Sequence, residues 1–243
     1  MLMRTNDTVR AIGHCGQCEQ CEHCSARSQS ICSVIDQRDL HQLALHSQRI
    51  EIPSGRCFIE EGETARDFFI VTDGHAKLFN LLPDGRRQIT GFADCGQFLG
   101  LASIENYAFS AEALTPLRVC RFSHVGMSLL KTQFPALERR LLEEASSELV
   151  RAQARMLLLG RKTARERLAS FLLERQEVAP RSDVLILPMT RTDIADYLGL
   201  TIETVSRTLN AFRRDKLIEI DHITSIKLLN LTEIRLLSDG EGF

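Results

Sequence analysis

The residues of this chain that are best suited to chemistry are cysteines gathered in one short stretch. The segment GHCGQCEQCEHCSARSQSIC, residues 13–32, holds most of the eight cysteines and few apolar side chains. Such a segment has too little apolar surface to order itself, and thiolate ligands on a metal would supply the missing constraint. The segment therefore predicts a metal centre. Its cysteines are Cys15, Cys18, Cys21, Cys24 and Cys32.

The spacing of these thiols fits more than one kind of centre. Two cysteines separated by two residues can turn both sulfurs towards one centre, which is either a tetrahedral zinc ion or an iron–sulfur cluster. The segment holds more thiols than either centre needs, so the spacing alone identifies neither the metal nor the ligands. Redox sensing by free thiols is the rival interpretation.

The remaining cysteines lie in stretches patterned as strands. An isolated cysteine is usually a small core residue, and we expect this role for Cys57 and Cys95. Cys120 lies in the apolar run from Leu117 to Phe122 and is a further ligand candidate.

Composition limits the classes of protein that need to be considered. A chain of 243 residues with 44% hydrophobic residues can bury a real core, in one large domain or two ordinary ones. The formal net charge is -2, so any nucleic-acid binding must come from local clusters of Lys and Arg. No run of about 18 apolar residues and no basic-then-apolar N-terminal segment occurs, so we expect a cytoplasmic protein with no membrane partner.

Between Ile50 and Phe122 the sequence is patterned as short strands. Apolar runs alternate with glycine-containing turns, and Pro83-Asp84-Gly85 has the composition of a hairpin turn. This pattern predicts an antiparallel barrel or jelly roll that serves as a small sensor domain.

One long helix is predicted from Pro135 to Gly160. Proline suits a first helical turn, and glycine suits a helix end. Apolar residues recur at alternating steps of three and four, which is the narrow seam of a two-stranded coiled coil rather than the broad stripe of a helix packed on its own domain. The helix therefore predicts a homodimer. The seam residues are Leu142, Ala145, Leu149, Ala152, Met156 and Leu159.

The C-terminal part contains a predicted helix-turn-helix. A helix from Arg191 to Leu198 is followed by a turn at Gly199 and a second helix from Ile202 to Lys216, and the strands LIEI and SIKLL then form a wing. The second helix presents polar residues to the major groove of double-stranded DNA, and nearby basic residues neutralise phosphates. The candidate DNA contacts are Glu203, Thr204, Ser206, Arg207, Arg191 and Arg213. Asn210, Arg214 and Lys216 lie beside them.

The chain resembles the FNR branch of the CRP/FNR family of bacterial transcription regulators over nearly its whole length, and three stretches carry the resemblance most specifically. They are QITGF at residues 88–92, RERLASF at residues 165–171 and MTRTDIADYLGLTIETVSR at residues 189–207. The resemblance implies an α+β protein with an N-terminal cyclic-nucleotide-binding-type β-barrel of jelly-roll form, a long dimerisation helix and a C-terminal winged helix-turn-helix. The expected domains are a cysteine-rich segment at 1–34, a barrel at 35–134, a dimerisation helix at 135–160 and a DNA-binding domain at 161–243.

The same resemblance implies an oxygen-labile [4Fe-4S] cluster. Regulators of this branch carry a C-x2-C-x7-C set and one distant cysteine, and the set is matched here by Cys21, Cys24, Cys32 and Cys120. The surplus residues Cys15 and Cys18 can substitute for Cys21 or Cys24. The cluster is expected to favour pairing of two chains on a palindromic operator, and oxygen is expected to lower DNA binding by dismantling the cluster.

The resemblance also implies which DNA sites the protein binds, that it contacts RNA polymerase, and that it does not bind cAMP. Operators of this branch contain TTGAT-type half-sites read through a Glu-x-x-Ser-Arg motif, which matches Glu203, Ser206 and Arg207. Relatives that bind cAMP use a Gly-Glu pair and an Arg-Ser pair, but the matching positions look like Gly100-Leu101 and Phe109-Ser110. Leucine and phenylalanine cannot replace a carboxylate and a guanidinium, so no cAMP binding is expected. The hairpin at residues 83–87 is predicted to touch RNA polymerase.

Two other classes of protein compete with this interpretation. A zinc- or thiol-switched DNA-binding regulator of the same fold would use Cys15, Cys18, Cys21 and Cys24 as a four-thiolate site without iron. An enzyme is disfavoured, because the cysteine pairs lack a strand-loop-helix redox motif and the sequence contains no phosphate-binding loop.

Overall fold

The computed structural model describes residues 10–11, 21–101, 105–178, 182–222 and 224–241. Their contacts fall into two compact units, which are described separately below. The first comprises the chain up to residue 80 together with residues 91–149, and the second comprises residues 81–90 and the chain from residue 150 onwards. The predicted dimerisation helix and the β-hairpin are therefore each shared between the two units.

The N-terminal unit is built on two antiparallel sheets. A sheet of five strands has the order β1-β2-β9-β4-β7, and a sheet of four strands has the order β3-β8-β5-β6. Apolar residues of both sheets share one buried core, so the unit is a jelly-roll sandwich. The predicted jelly roll is confirmed, and the two sheets do not close into a barrel. The strands are β1 (Arg10–Ala11), β2 (Ser47–Ile52), β3 (Cys57–Ile59), β4 (Asp67–Asp73), β5 (Ala76–Leu81), β6 (Arg87–Ala93), β7 (Phe98–Leu99), β8 (Ser110–Ala113) and β9 (Leu117–Ser123).

The predicted hairpin turn lies between β5 and β6. Gly85 has a φ of 85°, a conformation that glycine adopts without strain, and its N–H donates to the carbonyl of Leu82 at 2.9 Å. The prediction of a turn at Pro83-Asp84-Gly85 is confirmed.

The cysteine-rich segment from Cys21 onwards is ordered by packing against the five-stranded sheet. Three short 3-10 helices (Arg27–Gln29, Ile31–Val34 and Gln37–Asp39) lead into helix α1 (Leu40–Leu45). Ile31 and Ile35 are 1% exposed and share a buried cluster with Phe122 of β9. The expectation that metal ligation alone could order this segment is therefore too strong, because apolar burial also contributes.

Two helices follow the sheets. Helix α2 (His124–Gln133) leads directly into helix α3 (Pro135–Arg161), which begins at the predicted proline and ends one residue after the predicted Gly160. Leu137 and Leu141, in the first turns of α3, are buried in the cluster that also contains Phe122. The start of α3 is thus part of the core of the N-terminal unit.

The C-terminal unit is a winged helix-turn-helix. A small antiparallel sheet has the order β10-β12-β11, and its strand β10 was not predicted from the sequence. The elements are α4 (Ala164–Val178), β10 (Val184–Ile186), α5 (Arg191–Leu198), α6 (Ile202–Arg214), β11 (Ile218–His222), β12 (Ser225–Leu228) and α7 (Leu231–Asp239).

Local capping signals explain the helix boundaries of the helix-turn-helix. Thr190 and Asp193 form a reciprocal capping box at the start of α5, and Gly199 ends that helix with a φ of 60°. Thr201 caps α6 through the backbone N–H of Thr204. The prediction that α6 reaches Lys216 is wrong, since the helix ends at Arg214 and Lys216 has a φ of 55°.

Within the described residues, no helix combines the length and apolarity that crossing a membrane requires.

Candidate metal centre and nucleic-acid interface

Four cysteines from two distant parts of the sequence line one cavity of the N-terminal unit. They are Cys21, Cys24, Cys32 and Cys120, and the cavity that they border is small, about 20 Å³. Strand pairing places Cys120 in the middle of the sheet, opposite Arg49 of β2 and Ile70 of β4. The two further candidates in the sequence, Cys15 and Cys18, lie outside the described residues.

Tight turns of the backbone hold the three N-terminal thiols at this cavity. The N–H of Cys24 donates to the carbonyl of Cys21 at 3.4 Å. This turn brings the Cys21 and Cys24 side chains to the same side of the backbone. The N–H of Cys32 donates to the hydroxyl of the buried Ser30 at 3.3 Å, at the start of the next 3-10 helix.

Burial strongly affects the charge state of the thiols. The pKa of Cys32 is raised to about 12, mainly by burial and in smaller part by the charges of the other three thiolates, and the Ser30 hydroxyl opposes this rise. Burial is the main cause that raises the pKa of Cys120 to about 11, although the guanidinium of Arg49 opposes the rise. Both thiols are therefore protonated at neutral pH unless a positive centre compensates their charge.

The donor set of the cavity suits a soft metal centre. Thiols are the only metal-binding side chains among the described residues that line it, and the rest of the lining is mostly apolar or hydroxyl-bearing. Soft thiolate ligands select zinc, copper(I) or iron–sulfur clusters over magnesium or calcium. Within the described part of the chain, however, no three His, Cys, Asp or Glu residues are already arranged to hold a single metal ion. The four thiols border a space instead of meeting at one point.

The other two described cysteines lie apart from this lining. Cys57 is half-buried on β3 and donates from its thiol to the carbonyl of Ile59 at 3.0 Å. Cys95 is also half-buried, and its thiol donates to the carbonyl of Thr72 at 3.3 Å. Both were expected in the core, and both are only partly buried.

The seam of helix α3 is exposed on the single chain. Leu142, Leu149 and Met156 are 68%, 59% and 66% exposed, although each is a large apolar side chain. Ala145 and Ala152 are exposed between them, and Leu159 is half-buried. A row of exposed apolar residues along one helix marks a surface that another molecule covers.

Helix α6 has one buried face and one polar face. Val205, Leu209 and Phe212 are at most 3% exposed and pack it onto its own unit. Glu203 and Arg207 are exposed, and the pKa of Glu203 is lowered by a backbone N–H and the hydroxyl of Thr201, so this carboxylate stays ionised. The other predicted contacts on this helix are Thr204 and Ser206, half-buried, and Arg213, exposed.

Arg191 has an unusual environment at the start of α5. Burial lowers its pKa, and its Nη1 atom is buried without a hydrogen bond to any described residue. A buried donor without a partner costs free energy, so this guanidinium can gain stability by donating to an external acceptor.

The hairpin tip and helix α5 are joined by ion pairs that sequence reasoning missed. Within the C-terminal unit, Arg87 lies 2.9 Å from the carboxylate of Asp193 and 2.8 Å from that of Asp196. The side-chain amide of Gln88 donates to the backbone carbonyl of Asp196 at 2.7 Å. Arg87, predicted as part of a polymerase contact, is therefore engaged inside its own chain, whereas residues 81–86 are exposed.

These features define a class of protein. A winged helix-turn-helix with a polar, exposed recognition helix belongs to proteins that read DNA sequence, and a separate sandwich unit bearing a thiol-lined cavity is typical of a regulator that responds to a signal.

Comparison with known proteins identifies the family. Residues 166–237 match the Crp-like helix-turn-helix domain, and residues 49–130 match the cyclic nucleotide-binding domain. The nitrogen fixation regulation protein FixK of Bradyrhizobium diazoefficiens is 40% identical over 87% of this chain and 91% of its own. The transcriptional activator protein FnrL of Cereibacter sphaeroides is 34% identical over 80% of this chain and 82% of its own.

The solved structure of FixK2 from Bradyrhizobium japonicum superposes with a TM-score of 0.75 at 34% identity, covering 79% of this chain and 96% of that protein. The chain belongs to the CRP/FNR family of transcription regulators, and is a DNA-binding regulator rather than an enzyme. The resemblance noted in the sequence is confirmed.

Proposed function

We propose that this chain is an oxygen-responsive transcription regulator that binds DNA when Cys21, Cys24, Cys32 and Cys120 hold a [4Fe-4S] cluster. The observation that carries this proposal is the single cavity lined by all four thiols. Related proteins include transcriptional activators named FnrL, FnrA and anr, and we extend the activator role to this chain.

The donor chemistry fits such a cluster. Four thiolates would bring four negative charges into a site where burial already raises thiol pKa values, and iron ions offset that charge. When bound, the cluster supplies iron and sulfide that react with oxygen, so exposure to air lowers DNA binding. Cys15 or Cys18 can take the place of Cys21 or Cys24 in the ligand set.

A shared core links the thiols to the pairing helix. Cys21, Cys32 and Cys120 belong to the same buried cluster as Leu137 and Leu141 of α3. Because protein cores are closely packed, a change in the position of these cysteines displaces the first turns of α3. Ligation by both the N-terminal segment and β9 would hold this core in one arrangement.

The seam of α3 is the surface on which two chains pair. Its exposed leucine and methionine side chains repeat at coiled-coil spacing, so a second copy of the same helix covers them efficiently. A two-fold dimer presents two recognition helices to a palindromic operator, with half-sites roughly 34 Å apart.

Helix α6 reads the TTGAT-type half-site through Glu203, Ser206 and Arg207. Arginine pairs bidentately with guanine, and a carboxylate accepts from the cytosine amino group. Thr204 and Arg213 contact the backbone, and a phosphate provides the acceptor that the buried Nη1 of Arg191 lacks.

Two further features complete the proposal. The exposed hairpin tip at residues 83–86, with the apolar side chains of Leu81 and Leu82 beside it, touches RNA polymerase. cAMP is not a ligand, because Leu101 and Phe109 stand where relatives use a carboxylate and a guanidinium. A dissociation constant for cAMP below about 10 µM, an affinity of roughly 7 kcal/mol, would contradict this point.

Anaerobic purification tests the proposal. We expect a brown protein that contains iron and sulfide and loses its visible absorption in air. At one salt concentration, it should bind a duplex with two half-sites more tightly before air exposure than after it. A colourless, zinc-containing protein would favour the zinc- or thiol-switched regulator instead. DNA affinity unchanged by removal of the cluster would contradict the coupling.

A further inference from the structure

We infer that Arg167 is the positioning residue that fixes the helix-turn-helix to the end of helix α3 and so sets the half-site spacing that a pair of chains accepts. This inference rests on the proposed function, because it takes pairing through α3 and a two-fold operator as given. It goes beyond that function by naming the side chain that fixes the orientation of the DNA-reading helices relative to the pairing helix.

The guanidinium of Arg167, in the first turn of α4, joins two helix ends of the C-terminal unit. Towards α3, its Nη2 donates to the carbonyl of Leu159 at 2.8 Å and its Nε donates to that of Lys162 at 2.8 Å. Towards α5, its Nη1 donates to the carbonyl of Leu198 at 2.9 Å and, at 3.4 Å, to that of Gly199.

These acceptors are the groups that a helix end leaves without partners. The last carbonyls of a helix have no intrahelical donor, and they carry the negative end of the helix dipole. One cation that satisfies the ends of both α3 and α5 therefore ties the two helices together electrostatically and geometrically. Only the planar, five-donor fork of arginine can reach several acceptors in this way, since lysine carries a single nitrogen.

The corner of the helix-turn-helix is packed closely against the same helix end. Gly199 lies in a left-handed conformation, and a side-chain carbon added there would lie 3.3 Å from the side chain of Leu159 and 3.5 Å from the guanidinium of Arg167. The corner therefore has little freedom to move away from or around the end of α3 while Arg167 is in place.

A second contact attaches the same two helices one turn earlier. Arg155 of α3 donates to the hydroxyl of Tyr197 on α5 at 2.9 Å, and its guanidinium lies 4.6 Å from the centre of that ring. Attachment at two points along α3 resists rotation of α5, whereas attachment at one point permits it. Because α6 follows α5 after a turn of three residues, its orientation relative to α3 is set by the same contacts.

A comparison of half-site spacings tests the inference. One duplex carries the two half-sites at their natural spacing, and the other has one base pair inserted between them, which moves one half-site by about 3.4 Å and turns it by about 35°. The Arg167→Gln variant should bind the natural duplex at least about tenfold less tightly, about 1.4 kcal/mol. Its preference for the natural over the widened duplex should also fall by at least about fivefold relative to the unaltered protein.

The spacing preference distinguishes positioning from a general loss of binding. The Arg161→Gln variant, which removes an exposed arginine from the last residue of α3, is the matched control and should keep the preference of the unaltered protein. Sedimentation must show that the variants pair as the unaltered protein does. A preference in Arg167→Gln equal to that of the unaltered protein, at any affinity, overturns the inference.

Two measures keep the test decisive. If Arg167→Gln does not unfold cooperatively, the Arg167→Lys variant takes its place, because lysine retains the charge and most of the side-chain stem but cannot reach all four carbonyls. A lower spacing preference in Arg167→Lys supports the inference, and an unchanged preference overturns it. Failure of the proposed function would show itself separately, as DNA affinity of the unaltered protein that does not depend on the cluster. The spacing preference is then measured on whichever form of the protein binds.

Discussion

Cys120, on the central strand of the five-stranded sheet, lies within electrostatic reach of Cys32 in the N-terminal segment. Burial is the main cause of the high pKa of Cys32, about 12, and the charge of the Cys120 thiolate contributes to it. The Cys120 thiolate makes Cys32 harder to ionise, so ligation of a metal by both thiols would relieve this electrostatic cost.

Replacement of Cys120 tests the contribution of the sheet to the metal centre. We expect the Cys120→Ser variant, purified anaerobically, to contain at least about tenfold less iron and to bind the two-half-site duplex as weakly as the air-exposed protein. The Cys57→Ser variant is the control, because Cys57 is half-buried on β3 and does not line the cavity. Full iron content in Cys120→Ser would remove Cys120 from the ligand set.

A charge on the exposed seam of α3 tests pairing. The Leu149→Glu variant places two carboxylates at the two-fold contact, where they are desolvated and repel each other, so the dissociation constant of the dimer should rise at least about a hundredfold, roughly 2.7 kcal/mol. Sedimentation over a range of concentrations measures this. Leu149 is 59% exposed on the single chain, so the fold of the monomer should survive.

The control for the seam lies on the opposite face of the same helix. Ser147 is exposed and about half a turn away from Leu149, and the Ser147→Glu variant should leave the dimer unchanged. Equal weakening by both substitutions would indicate that α3 is not the pairing surface.

Substitutions on α6 separate base contacts from phosphate contacts. The Arg207→Ala variant should bind the natural half-site more weakly, by about 1–3 kcal/mol of binding free energy, and should show a weaker preference at one base pair. Arg213→Ala should weaken binding to all sequences alike and reduce the slope of log affinity against log salt by about 1 for each chain. Titrations over a series of salt concentrations and single-base operator variants measure both effects. A uniform loss across sequences for Arg207→Ala would contradict its assignment as a base contact.

Tyr197 offers a test of stability in the C-terminal unit. Its buried hydroxyl donates to Glu174 at 2.5 Å and accepts from Arg155 at 2.9 Å. The Tyr197→Phe variant leaves both partners without this group and should lower the free energy of unfolding by about 1–3 kcal/mol. Urea denaturation at pH 7 measures the difference, and a smaller change than about 0.5 kcal/mol would show that the hydroxyl is not needed.

The same tyrosine predicts a dependence on pH. Burial, and then the charge of Glu174, raise the pKa of Tyr197 above that of an unfolded tyrosine. The folded state therefore keeps its proton when the unfolded state loses it, so the stability contributed by this proton is complete below about pH 10 and decreases at higher pH. Between about pH 9 and 11 the unaltered protein should lose more stability than Tyr197→Phe. Parallel pH dependences of the two proteins would contradict the assignment.

The sequence alone was sufficient to locate the DNA-reading part of this protein. The start of α5 at Arg191 and its end before Gly199 were predicted correctly, because a capping residue and a glycine in the left-handed conformation are local signals. The first helical residue of α3, Pro135, was identified for the same reason. The end of α6 was placed two residues too late, since no local signal separates Arg214 from Lys216.

The tertiary structure decided which residues meet. Cys120 and Cys21 share a cavity because of the register of β9 between β2 and β4 and because of the packing of the N-terminal segment. Neither feature can be inferred from the spacing of residues along the sequence. The four-carbonyl contact of Arg167 likewise depends on two helix ends brought together by the fold. Local propensity specifies elements within a few residues, whereas contacts between distant residues follow from burial of the whole core, and only the folded chain defines them.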